Sequence, residues 1–238
     1  MNRLFIPTLG PTDWRRLLAD PENQWEPRKS ALEMAVCWES ARDSERGIPP
    51  EVASTLDSVP ELRGAELLLG IPEHQVPLPP RGRPSQNDLW ELLRKDGLRI
   101  SLAIEAKAGE PLDNLVKDWL PKEGERSAKP ARLEALQRQL GIADADVSHL
   151  RYQLLHRTAS ALIEAERFGA NVAVMLVQSF NRTADEESWQ DMLRFGEVMG
   201  VQVQENHVVP SPRPTDTPLY LGWVNSKTAD LARLRAAI

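Results

Sequence analysis

Two acidic residues and a lysine are spaced so that they can meet. Leu89–Leu93 and Leu98–Ile104 flank Asp96-Gly97, a dipeptide that supplies positive φ at both central positions of a two-residue turn. This predicts an antiparallel hairpin. With Asp96-Gly97 as the loop, the register places Asp88 directly opposite Glu105, and facing residues have Cβ atoms about 4.5–5.5 Å apart. Lys107 projects from the same face as Glu105, whereas Ile100, Leu102, Ile104 and Ala106 point to the opposite, core-facing side. A loop one residue longer or shorter would slip the whole pairing.

Two carboxylates at that separation repel unless a cation joins them, and hard oxygen ligands favour Mg²⁺ or Mn²⁺. A neighbouring lysine can orient an attacking water or stabilise charge developing on a phosphate. These are the parts of metal-assisted phosphodiester hydrolysis. The same three residues also read as a surface salt-bridge cluster in which Lys107 merely neutralises Asp88 and Glu105.

The elements that must position them follow from patterning. A capping box at Ser30 and Glu33 opens a helix from Ala31 to about Arg42, apolar around much of its circumference and hence buried. Glu39 continues its interior stripe, although a solvated helix end is an equal reading. Short helices are expected at Thr12–Ala19 and Glu51–Leu56, and a buried strand at Ala65–Leu69. The prolines from Pro72 to Pro84 read as an irregular connector. Pro111–Leu120 is a helix or turn, Pro121–Lys129 an exposed loop, and Arg132–Leu140 a helix ended by Gly141. Ser148–Phe168 is a long helix, Asn171–Phe180 a strand covered on both faces, and Asp185–Met199 an amphipathic helix. Leu219–Val224 is a late strand and Thr228–Ile238 a closing helix. The sum is one α/β domain over residues 1–238, with a central mixed sheet and helices on both faces.

Composition narrows the function. The 238 residues carry 29 Lys and Arg against 35 Asp and Glu, a net charge of −6, so bulk charge does not make a nucleic-acid coat. Cys37 is the only cysteine, which excludes a disulfide framework and a Cys-rich zinc site. No apolar run approaches the ~20 residues of a membrane span, and Met1–Gly10 lacks the apolar core of a signal peptide, so a cytoplasmic protein without a membrane partner is expected. Phosphate-loop, dinucleotide, nucleophile-elbow and zinc-protease motifs are missing. His74 falls in the proline-rich loop, His156 on a helix and His207 near a strand end, and each reads as structural.

Pro84 through Asp88, then Glu105-Ala-Lys107 after an apolar strand, with a helix and a buried strand downstream, resembles the PD-(D/E)xK nuclease superfamily over residues 30–180. The resemblance implies a restriction-endonuclease-like core in which Asp88 and Glu105 hold Mg²⁺, or Mn²⁺ as a substitute, and Lys107 serves the attacking water. It also implies a glutamate on the first core helix, for which Glu39 is the best placed metal ligand, and a glutamine on the later helix, which Gln153 matches. His149 and Arg157 flank Gln153 at one-turn intervals, a stripe able to reach substrate phosphate or else an ordinary solvated face. The stretches 84–90, 104–107 and 150–157 are similar to a group of uncharacterised bacterial proteins sharing a domain of unknown function. The implied partner is nucleic acid, foremost DNA, with a homodimer to cut both strands. A catalytically silent nuclease fold kept as a binding module is the alternative.

Overall fold

The Asp96-Gly97 turn fixes the centre of the molecule. In a computed structural model describing residues 7–80, 82–122 and 125–238, Asp96 and Gly97 have φ of 45° and 83°, as a turn matched to strand twist requires. Strands β2 (Ser85–Lys95) and β3 (Leu98–Lys107) therefore pair antiparallel from Lys95 opposite Leu98 to Leu89 opposite Ile104. This is the register the turn predicts.

On its other side β2 pairs antiparallel with β1 (Glu66–Val76). The sequence reading placed only Ala65–Leu69 in a strand and gave the prolines to a connector; instead β1 runs through Pro72 to Val76. It can do so because it is an edge strand, where a missing N–H need not cost a ladder bond. His74 is accordingly buried in a strand, not held in a loop. The irregular path begins after Val76, and Arg81 within it lies outside the described residues.

From β3 the chain crosses through α5 (Val116–Trp119), α6 (Lys129–Gln139) and α7 (Tyr152–Phe168) to β4 (Val172–Ser179), parallel to β3. Of the loop expected at Pro121–Lys129, residues 123–124 lie outside the described residues. β4 is buried at every position, as its unbroken apolar run requires. After α8 (Glu186–Met199), strand β6 (Leu219–Asn225) lies parallel to β4, and β5 (His207–Pro210) pairs antiparallel with β6. The sequence reading put His207 near a strand end but delimited no strand there; β5 begins at His207, is four residues long and ends in proline. The result is an α/β fold with a six-stranded mixed sheet in the order β1-β2-β3-β4-β6-β5.

An apolar cluster covers each face. One joins Leu89, Leu93, Ile100, Leu102 and Ile104 to α3 (Ser30–Ala41), α4 (Pro50–Leu56) and α9 (Leu231–Ala236), with Trp14 of α1 (Thr12–Arg15) and Trp25 just after α2 (Pro21–Gln24). The other joins Trp90, Ala103, Met175 and Val177 to α6, α7 and α8. The face that carries Asp88 and Glu105 is therefore a second core face, covered by α7, and not a surface. The expected helices at Thr12–Ala19 and Thr228–Ile238 are shorter than their patterns, running Thr12–Arg15 and Leu231–Ala236. Among the described residues no helix is long and apolar enough to cross a membrane.

Cys37 packs against the first cluster. Burial, followed by the charge of Glu51, pushes its thiol up to about 12, leaving little reactive thiolate. Iodoacetamide at about pH 8 is therefore expected to spare Cys37 in the folded protein and to label it fully in urea, read by mass spectrometry.

Candidate functional site

β2 and β3 bring Asp88 and Glu105 to the same end of the sheet. Their last ladder pair is Leu89 with Ile104, and one step further the Asp88 side chain takes over, its Oδ2 accepting from the Ala106 N–H at 2.7 Å. Lys107 lies beside them and its Nζ donates to Glu105 Oε1. The salt-bridge reading of the sequence is thus partly realised, but the cluster is not on the surface: Glu105 is 2% and Lys107 5% exposed.

α7 supplies the other half of the site. Gln153 and Arg157 stand one turn apart on one helix face and both reach Glu105, Gln153 Nε2 donating to Oε1 at 2.7 Å and Arg157 Nε to Oε2 at 2.6 Å. Gln153 is aimed by its own carbonyl, which accepts from the Asp113 N–H at 3.1 Å. Arg157 also donates to Ser85 Oγ at 3.0 Å and lies 3.9 Å from Asp88 Oδ1. Ser85 in turn meets His156 Nδ1 at 2.8 Å. Burial, then the charges of Arg157 and Arg132, hold the His156 pKa well below the usual imidazole range, so this ring is neutral and fixes the Ser85 hydroxyl.

A third carboxylate, not anticipated from the sequence, completes the row. Pro72 opposite Leu89 and His74 opposite Asn87 bracket Glu73 and Asp88, so Glu73, Asp88 and Glu105 occupy three adjacent strands. Glu73 Oε2 accepts from Gln86 Nε2 at 2.7 Å. The signal that could have revealed it is the alternation of Glu73 with buried His74 and Val76, obscured by the neighbouring prolines. These groups face a cavity of about 370 Å³. Its far wall is the start of α3, tied to the end of β3 by Glu110, which accepts from the Ser30 and Ala108 N–H groups.

In this row three carboxylates meet Lys107 and Arg157, and with Glu110 and Lys29 also lining the cavity the described acidic groups outnumber the basic ones. Burial and then the Glu105 charge raise Asp88, while burial and then Asp88 raise Glu73. Burial pushes Glu105 the same way, but Lys107 and Arg157 together outweigh it and hold Glu105 below the ordinary carboxylate range. Glu105 therefore keeps its charge, and the row relieves its excess negative charge by holding protons on Asp88 and Glu73, which are raised to about 7 and about 8. Asp88 Oδ1 accepts no hydrogen bond among the described residues and lines the cavity.

Two sequence-predicted residues are placed elsewhere. Glu39 does not reach this cavity: it accepts from Thr8 Oγ1 at 2.6 Å and Trp14 Nε1 at 2.8 Å and lines a different pocket. Ser30 and Ala31 are the α3 residues at the candidate site, and nine residues further along a helix is about 13 Å. His149 is also displaced, because α7 begins at Tyr152 and not at Ser148; His149 is exposed in the preceding turn, where the Ser148 N–H bonds Asp146 Oδ1. The expected capping box is not formed either, since Glu33 is fully buried and accepts from the Ala229 N–H and Arg28.

Among the described residues, no three His, Cys, Asp or Glu side chains are arranged to hold a metal ion. The cluster offers two facing carboxylates, of which Asp88 has an oxygen with only the 3.9 Å ion-pair contact with Arg157 among the described residues. No curated protein and no solved structure matches the chain. A family model described as a domain of unknown function, DUF6946, matches residues 7–228, and the chain belongs to that family.

Proposed function

We propose that the protein is a Mg²⁺-dependent nuclease with a restriction-endonuclease-like core, hydrolysing phosphodiester bonds of DNA or another nucleic acid. One observation carries this reading: Asp88 and Glu105 face each other at the end of a register-fixed hairpin, with Lys107 beside them, on the wall of a polar cavity. The donor set fits Mg²⁺, which is commonly held by one or two carboxylates together with waters and substrate phosphate. Among the described residues Asp88 Oδ1 has only the 3.9 Å ion-pair contact with Arg157, and the excess of carboxylates over cations leaves room for positive charge. When bound, the ion would polarise the phosphate and acidify a water.

The chain's own groups do the rest. Lys107, whose pKa is lowered by burial but raised overall by Glu105 and Asp88, keeps its proton and can donate to a phosphate oxygen or steer a water. Gln153 fixes the Glu105 carboxylate. Arg157 was expected to contact substrate phosphate, yet it is 7% exposed and committed to Glu105 and Ser85, so it buttresses the carboxylates.

A specific feature favours the second reading, a silent binding module: both Glu105 oxygens are already satisfied by Lys107, Gln153 and Arg157. Cleavage of single- and double-stranded DNA and RNA in Mg²⁺ and Mn²⁺ separates the two. Wild type is expected to cleave, and Lys107→Ala, checked for folding by circular dichroism, to lose at least about 10²-fold in rate. Asp88→Asn should lose Mn²⁺ binding by calorimetry as well. Folded wild type with neither cleavage nor Mn²⁺ binding would establish the module.

A further inference from the structure

The β1 edge of the sheet, beyond Glu73 of the candidate active site, borders a second cavity, of about 720 Å³. It lies between β1, β2 and α3 and shares no lining residue with the first. Its size is that of pockets that take small organic molecules. Trp14, Trp38, Leu69 and Ile71 contribute to an apolar lining.

Within that lining is one group with no structural explanation. Glu91 of β2 is fully buried, and among the described residues neither carboxyl oxygen has a hydrogen-bond partner. Buried polar groups in folded proteins are almost always paired, so an orphan carboxyl bordering a cavity points to a partner that the chain does not supply. Gly70 faces Glu91 across the strand pair, and both line the cavity. A Cβ on Gly70 would lie 3.7 Å from Glu91 Oε1, so the missing side chain leaves space beside the buried carboxyl.

The surroundings select the partner. Arg42 is paired with Glu39 and Asp43, and Arg16 with Asp13, so among the described residues that line the cavity no unpaired cation waits for an anionic ligand. Burial alone raises the Glu91 pKa well above the ordinary range, which keeps the carboxyl uncharged until a cation reaches it. An ammonium brings several N–H donors to two unpaired oxygens, and indole rings favour a cation near their faces. We propose that this cavity binds an organic monocation, an amine with an apolar body, whose ammonium pairs with Glu91 while the body lies against the apolar walls.

Calorimetric titration of the full chain with 2-phenylethylamine, and with 2-phenylethanol as its neutral counterpart, tests this. The amine is expected to bind saturably and the alcohol at least about tenfold more weakly, since only the amine can form a charge-assisted bond. Glu91→Gln keeps the shape, removes the charge and should weaken amine binding by about tenfold or more. Gly70→Ala keeps the carboxyl but narrows its approach, so it should weaken binding with no change in fold. No saturable amine binding to wild type, or equal affinity in Glu91→Gln, would overturn the proposal. Neither outcome depends on nuclease activity.

Discussion

Arg157→Met is expected to lower the unfolding free energy by about 3–5 kcal/mol. Arg157 is the cation that α7 brings to the acidic strands, and its guanidinium serves Glu105, Ser85 and the approach to Asp88. Methionine fills much of the same volume but leaves a buried carboxylate row with Lys107 alone. The Coulombic gain of a buried pair is largely spent against its desolvation, so the loss measures uncompensated charge more than the worth of the bond itself. Urea denaturation followed by tryptophan fluorescence checks the value. A double variant, Glu105→Gln with Arg157→Met, should recover part of the loss because the stranded charge goes with its partner. A loss below about 1 kcal/mol would show that the pair behaves as an exposed one.

Glu91→Gln is expected to act in the other direction and to do so with a pH signature. Burial raises the folded-state pKa of Glu91 well above its ordinary value, so the native state holds a proton that the unfolded chain releases. Stability linked to that proton is complete below the unfolded pKa of about 4.3. It is lost as pH rises toward the folded value. At pH 7 the wild type therefore carries a penalty, the cost of keeping that proton, that glutamine does not. Wild type and variant should differ least near pH 4.5 and diverge as pH rises toward 7, by at most about 1.4 kcal/mol per unit for the one proton. Parallel urea titrations across that range decide the matter, and parallel curves would mean that Glu91 finds solvent or a partner.

The hairpin was legible because a turn dipeptide fixes pairing by local conformation alone. Once Asp96-Gly97 closes the loop, the placing of Asp88, Glu105 and Lys107 follows by counting. Gln153 was legible only through the family resemblance and Arg157 through its one-turn spacing from Gln153, and both reach the same carboxylate. Glu39 was misplaced for a complementary reason. Helical periodicity tells which side of α3 faces inward, but not how far along the axis the helix crosses the sheet end. Glu73 was missed because proline signals a break in most strands, and only the edge position of β1, a tertiary property, lets Pro72 stay in register. His149 was lost to a boundary: an Asp146–Ser148 turn ends the loop just before α7 begins.

The two edges of the sheet bear on how copies of this protein could meet. β1 carries Pro72 and shifts register between Leu67 and Leu69, and β5 is short and ends at Pro210. Each proline removes an N–H, and a register shift bends the strand away from a flat template. A seventh strand from another molecule would find few consecutive bonds to make at either side, which is how natural sheets resist growing into aggregates. Paired copies acting on two strands of a duplex would thus have to join through side-chain surfaces and not by continuing the sheet.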